Sequence, residues 1–169
     1  MKNQITSETK KTLLEAHFFY EFNQMRAGFY RIINKGVFIK ETNTINVDNH
    51  VLIDFLLHVR ILYEFFYKNN KGDFAHAKDY FPNWKIKYAL EGIETWNIQL
   101  NHYLAHLSYV RVTSANGKHP YRLYPAEKLY SHFRNLTIEF LDKIPKEYLQ
   151  DNLIKLLNEL KIENEKRNN

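Results

Sequence analysis

Cysteine is absent from all 169 residues, which excludes disulfide frameworks, thiolate zinc sites and thiol nucleophiles together. Glycine and proline are scarce, at five and four, which argues against a fold of many tight turns. A chain of this length buries roughly two thirds of its unfolded surface, so it needs no disulfide or structural metal to hold together. The sequence has no P-loop, no G-x-G-x-x-G and no G-x-S-x-G elbow, which makes ATP enzymes, dinucleotide enzymes and α/β-hydrolases poor fits. No acidic pair is spaced convincingly for glycoside hydrolysis. The most apolar segment, "VLIDFLLHVRILYEFFY", contains Asp54, His58, Arg60 and Glu64, so a membrane span there would be costly. The opening "MKNQITSETKK" has no apolar run and no small-residue cleavage site, so a secretory signal is not expected and the cytoplasm is the expected location.

What the chain has instead is aromatic bulk: 12 Tyr, 12 Phe and 2 Trp. The net charge of +5 comes from 24 basic and 19 acidic residues spread along the whole sequence, which permits nucleic-acid contact without requiring it. Apolar residues recur at helical spacing through Leu13, Leu14, Phe18, Phe22, Met25, Phe29 and Ile33, predicting a helix over about 7–33 ended by Gly36 in a left-handed cap. The segment "VFIKETNTINV" reads as a loop or a short β-excursion. Asp48 is placed to cap a second helix over about 49–69, whose apolar residues go nearly all the way round, as in a central helix. "DFAHAKDYFPNW" is irregular around Pro82, where an aromatic plug over the core is expected. A third helix is predicted over about 84–112, bending or restarting at Gly92. "TSANGKHPYRLYP" is a loop. Further helices are expected over about 125–143 and 146–164, before a charged tail that frays. The pattern predicts one all-α domain, a bundle of four to five helices.

Polar residues inside these helices carry the chemical interest. "WNIQLNHYLAHLSYVRV" has an apolar spine of Ile93, Trp96, Leu100, Tyr103, Leu104, Leu107 and Val110, with Asn97, Asn101 and Ser108 on one flank and His102 and His106 on the other. Histidines four apart can share a metal ion, with His58 or Asp54 as further candidate ligands, but no H-E-x-x-H carboxylate accompanies them. No metal or cofactor is expected on balance. On the second helix, Arg60 and Glu64 stand at i and i+4, as do Asp54 and His58, which is the spacing of helix ion pairs.

The stretch "NHYLAHLSY" resembles the signature helix of the HEPN superfamily, small helical-bundle domains of bacterial toxins and defence proteins. That signature is an arginine, a polar residue, a few variable positions and a histidine. His106 matches the histidine and His102 the polar slot, while Asn101 stands where the family has arginine. The order "HVRILYEFFY", "AKDYFPNW", "NHYLAHLSYVR" is similar to a group of small, largely uncharacterised bacterial helical proteins that also carry asparagine there. The likeness spans about residues 50–112.

The resemblance implies an RNA-binding protein, with a metal-independent ribonuclease as the activity and a homodimer whose cleft holds the site, in a toxin–antitoxin or phage-defence setting with a partner protein to match. It implies His106 as the acid or base, with His102 and Asn101 beside it. The missing motif arginine calls for a replacement cation, for which Arg60 and Arg111 are candidates. Arg111 follows His106 by five residues, about 140° round a helix, so convergence needs a cleft shared with another element or subunit. Cations interleaved with aromatics in "GKHPYRLY", notably Lys118 and Arg122, suit single-stranded RNA, and Trp84 is a candidate for base stacking. The competing expectation is a non-catalytic helical interaction protein whose polar residues form a core or dimer-interface network.

Overall fold

The computed structural model describes residues 5–41, 43–68, 74–100 and 125–168. Its first element, α1, is one long rod: Ser7–Thr12 is α-helical, Leu13–Phe18 is a π-helical turn, and Phe19–Lys35 is α-helical again. Thr6 starts it, its hydroxyl oxygen accepting from the Thr9 amide at 3.1 Å. Gly36 ends it in an extended conformation (φ −73°) and not in the left-handed cap expected from the sequence, because the chain turns directly into a strand. That strand, β1 (Val37–Ile39), pairs antiparallel with β2 (Thr44–Asn46), so the excursion is a hairpin. Helix α2 (Asn49–Tyr67) follows. The Asp48 side chain makes no cap bond; its backbone carbonyl accepts from Val51 and Leu52 instead.

A four-residue helix α3 (Ala77–Tyr80) closes a capping box between His76 and Asp79. Residues 84–90 are not helical, so the third predicted helix starts later, as α4 (Ile93–Leu100). Gly92, at φ +77°, is why it restarts there instead of bending. Helix α5 (Ala126–Lys143) leads through a 3₁₀ turn at Lys146–Tyr148 into α6 (Asp151–Asn168). The expected frayed tail is therefore helical to Asn168, since Leu153, Leu156 and Leu160 bury one face of α6 and Glu163 anchors its end.

Helix α1 lies along α2, α5 and α6 pack on that pair, and α4 sits on α2. The fold is all-α apart from the hairpin. Aromatic rings fill its middle. Phe140 on α5 meets Phe18 at 5.7 Å, Phe65 at 5.2 Å, Phe66 at 5.8 Å and Trp84 at 5.6 Å between ring centres. Phe29 and Tyr130 stack at 4.3 Å, joining α1 to α5. Gly28 lets α1 and α2 approach: a Cβ there would sit 3.0 Å from the Cβ and 3.1 Å from the Cα of Phe55.

One expectation fails. α2 is not covered all round, because Ile53, Leu57 and Ile61 are 46%, 44% and 37% exposed and form a bare ridge at i, i+4 and i+8.

If Phe140 is the hub of the core, Phe140→Ala should cost about 3–5 kcal/mol in urea unfolding. A loss under about 1 kcal/mol would show that the rings around it repack without it.

Candidate functional site at the seam of two helices

Asn101, His102, His106, Arg111, Lys118 and Arg122 lie outside the described residues, so the site is built from the groups that flank them. Of the sequence-nominated residues, Arg60 and Trp84 are described.

Trp84 does not suit base stacking. It is 2% exposed, its indole N–H donates to the Phe66 carbonyl at 3.1 Å, and its ring packs on Phe66 and edge-on to Phe140. Neither face is left for a base. Tyr80 is buried as well, so "DYFPNW" is the aromatic plug over the core.

Arg60 is a quarter exposed, and its Nε lies 3.5 Å from Glu64 Oε1, the helix ion pair that the spacing predicted. Its terminal guanidinium nitrogens have no carboxylate partner among the described residues. An arginine held by Nε with its fork free keeps the bidentate geometry that suits phosphate.

His58 follows a different logic. Its Nδ1 is 2.6 Å from Glu21 on α1, and its Nε2 is 3.6 Å from Asp54, whose other oxygen accepts from Arg31 at 3.0 Å. The expected Asp54–His58 pair is thus one part of a chain that staples α1 to α2. Both ring nitrogens of His58 face carboxylates, which fits this structural job. Among the described residues no group of three or more His, Asp or Glu is arranged to hold a metal.

The helix that leads into the motif segment is α4, and it packs on α2. At about 100° per residue, Arg60, Tyr63 and Tyr67 fall on one flank of α2 within about 60°. The two tyrosine rings stack at 4.8 Å. Glu94 of α4 is close enough to act on both phenols. Burial, then Glu94, raises the Tyr63 pKa. Burial also pushes Tyr67 up to about 12, opposed by a backbone hydrogen bond at Leu90 and reinforced by Tyr63 and Glu94. The Tyr67 hydroxyl lies 2.6 Å from His132 Nε2 on α5, and burial holds that imidazole down at about 4. Both directions assign the proton alike: Tyr67 donates and a neutral His132 accepts.

A hollow of about 310 Å³ opens beside this pair, lined by Tyr67, Leu90, Gly92, Glu94 and Thr95 among others. Asn97, read from the sequence as an edge residue, is 6% exposed, and its Oδ1 is buried without a hydrogen-bond partner among the described residues. A buried acceptor left bare costs about 1–3 kcal/mol.

Tyr67, Glu94 and His132 were not legible as site residues. Tyr67 and His132 are 65 positions apart, and neither belongs to a spaced motif. The Arg60–Glu64 pair was legible because its spacing is local.

In the unfolded chain an imidazole takes a proton below about 6.5, whereas His132 in the fold does so only near 4. Between those values protons favour the unfolded chain, so stability is lost as pH falls through the window. Thermal melts should show a steeper drop from pH 6.5 to 4.5 in the wild type than in His132→Gln. Equal slopes would mean that His132 titrates normally.

Comparison of the chain with protein-family models, curated proteins and solved structures finds no match.

Proposed function

We propose that this chain is a HEPN-like RNA-binding protein, acting as a metal-independent ribonuclease in a toxin or phage-defence setting. In this reading His106 moves the proton. The 2′-hydroxyl gives up its proton, its oxygen attacks the adjacent phosphorus, and the 5′-oxygen departs as it is protonated. Histidine suits both transfers near neutral pH. Arg60 takes the phosphate-holding role that the motif arginine would have, with Asn101 and His102 beside the reacting groups. Arg111, Lys118 and Arg122 follow the RNA backbone. Two copies share the cleft, a toxin–antitoxin or defence partner restrains it, and the cytoplasm is its compartment.

One observation carries the reading furthest. Arg60 offers a guanidinium fork, without a carboxylate partner among the described residues, on the flank of α2 against which the helix leading into "NHYLAHLSY" is packed.

The bare ridge of Ile53, Leu57 and Ile61 favours a second reading, a helical interaction protein that covers this face with a partner.

Labelled single-stranded RNA separates the two. RNA should be bound, with affinity falling as salt rises. Arg60→Ala should weaken binding about five- to twenty-fold and lower the salt slope by about one. His106→Ala should abolish cleavage with little change in Tm. Asn97→Leu should keep or raise Tm, since it removes a buried acceptor that has no partner among the described residues. RNA that is neither bound nor cut would leave the interaction reading.

A further inference from the structure

A second hollow lies across the exposed ridge of α2 from Arg60, between the π turn of α1 and the C-terminal half of α2. Its volume is about 210 Å³, and it opens to solvent. Leu13, Phe18, Leu62, Phe65 and Phe74 supply apolar walls. A dry apolar cavity of about 150 Å³ accepts benzene, so this one has room for a single ring and a short arm.

Its polar rim is one-sided. Among the described residues, the titratable groups lining it are the carboxylates of Glu21 and Glu64 and the imidazoles of His17 and His76, and no Lys, Arg, Ser, Thr or Tyr lines it. Glu21 uses one oxygen on His58 Nδ1, and Glu64 has one oxygen 3.5 Å from Arg60 Nε. Neither second oxygen has a partner among the described residues. The rim therefore holds spare acceptors, and imidazole is its only side-chain donor among the described residues. An ammonium is the complementary group, with three N–H donors and a positive charge.

The wall has a further peculiarity. Leu13, His17 and Phe18 all come from the π turn. No proline or glycine occurs in Leu13–Phe18 to impose the wider winding. Such turns are rare and concentrate at functional sites.

We propose that this hollow binds a small amphipathic cation, a primary amine on a one-ring apolar body. The ring lies against Phe18, Phe65 and Phe74, and the ammonium lies between Glu21 and Glu64. The proposal does not depend on RNA binding.

Three compounds of one shape test it: 2-phenylethylamine, 2-phenylethanol and phenylacetate, titrated by calorimetry into the full-length protein at pH 7.5 and low salt. The amine should bind at least about ten-fold tighter than the alcohol, and phenylacetate should not bind. Glu64→Gln and Glu21→Gln should each weaken the amine about five-fold or more while leaving the alcohol unchanged. Glu64→Gln keeps the test open should loss of the His58 contact unfold Glu21→Gln. Ala75→Trp should fill the hollow and block the amine and the alcohol alike. Equal binding of the three compounds, amine binding that survives Ala75→Trp, or no amine binding at 5 mM would each overturn the proposal.

Discussion

The contact on which this fold depends is the meeting of rings around Phe140. That side chain is fully buried and touches the π turn of α1 through Phe18, α2 through Phe65 and Phe66, α3 through Tyr80 and the non-helical segment through Trp84. Offset and edge-on ring pairs contribute beyond the area they bury, by about 0.5–1.5 kcal/mol each. They also constrain geometry, because each ring fixes the tilt of its neighbours. The cluster explains how a segment with no regular structure, residues 84–90, stays seated: Trp84 enters the core and its N–H satisfies the Phe66 carbonyl.

Away from the rings, the helices are tied by charges paired across long stretches of sequence. Arg26 on α1 meets Glu159 at 2.8 Å and Glu163 at 3.5 Å on α6. Glu163 also accepts from Tyr130 and lies 3.4 Å from Arg134 on α5, and Arg134 donates to Asn164. Arg134 is almost completely buried. A charge taken that far from water is tolerated only when paired and hydrogen-bonded, and removing one partner costs more than the pair contributes. This network fixes the register of the last helix. The Glu21–His58 bond does the same for α1 against α2.

Helix α2 is then the element that joins these features. One flank carries Arg60 and the stacked tyrosines toward α4, and the other borders the hollow with Glu21 and Glu64 on its rim. Between them runs the uncovered ridge of Ile53, Leu57 and Ile61. One helix thus presents a cationic side, an apolar crest and an acidic-rimmed hollow. The ion pair between Arg60 and Glu64 is the local link between the two flanks.

Much of the secondary structure was legible in the sequence, because helical periodicity, capping residues and turn residues act over a few positions. The span of α5, the break at Gly92 and the Arg60–Glu64 pair all come from spacings of four or fewer. Features that join distant residues were not legible. Trp84 was legible as part of an aromatic plug, whereas Asn97 read as a solvated edge residue and proved buried, since burial depends on which element arrives from elsewhere. The bare side of α2 was hidden for the same reason: hydropathy records what a helix could bury, and only packing decides which side is covered. The sequence by itself determined a helical chain with a polar motif segment after α4, because those are local properties of the backbone and its side chains. Tertiary structure alone decided the Glu21–His58 staple, the Tyr67–His132 pair and both hollows, because each needs groups from separate elements to meet.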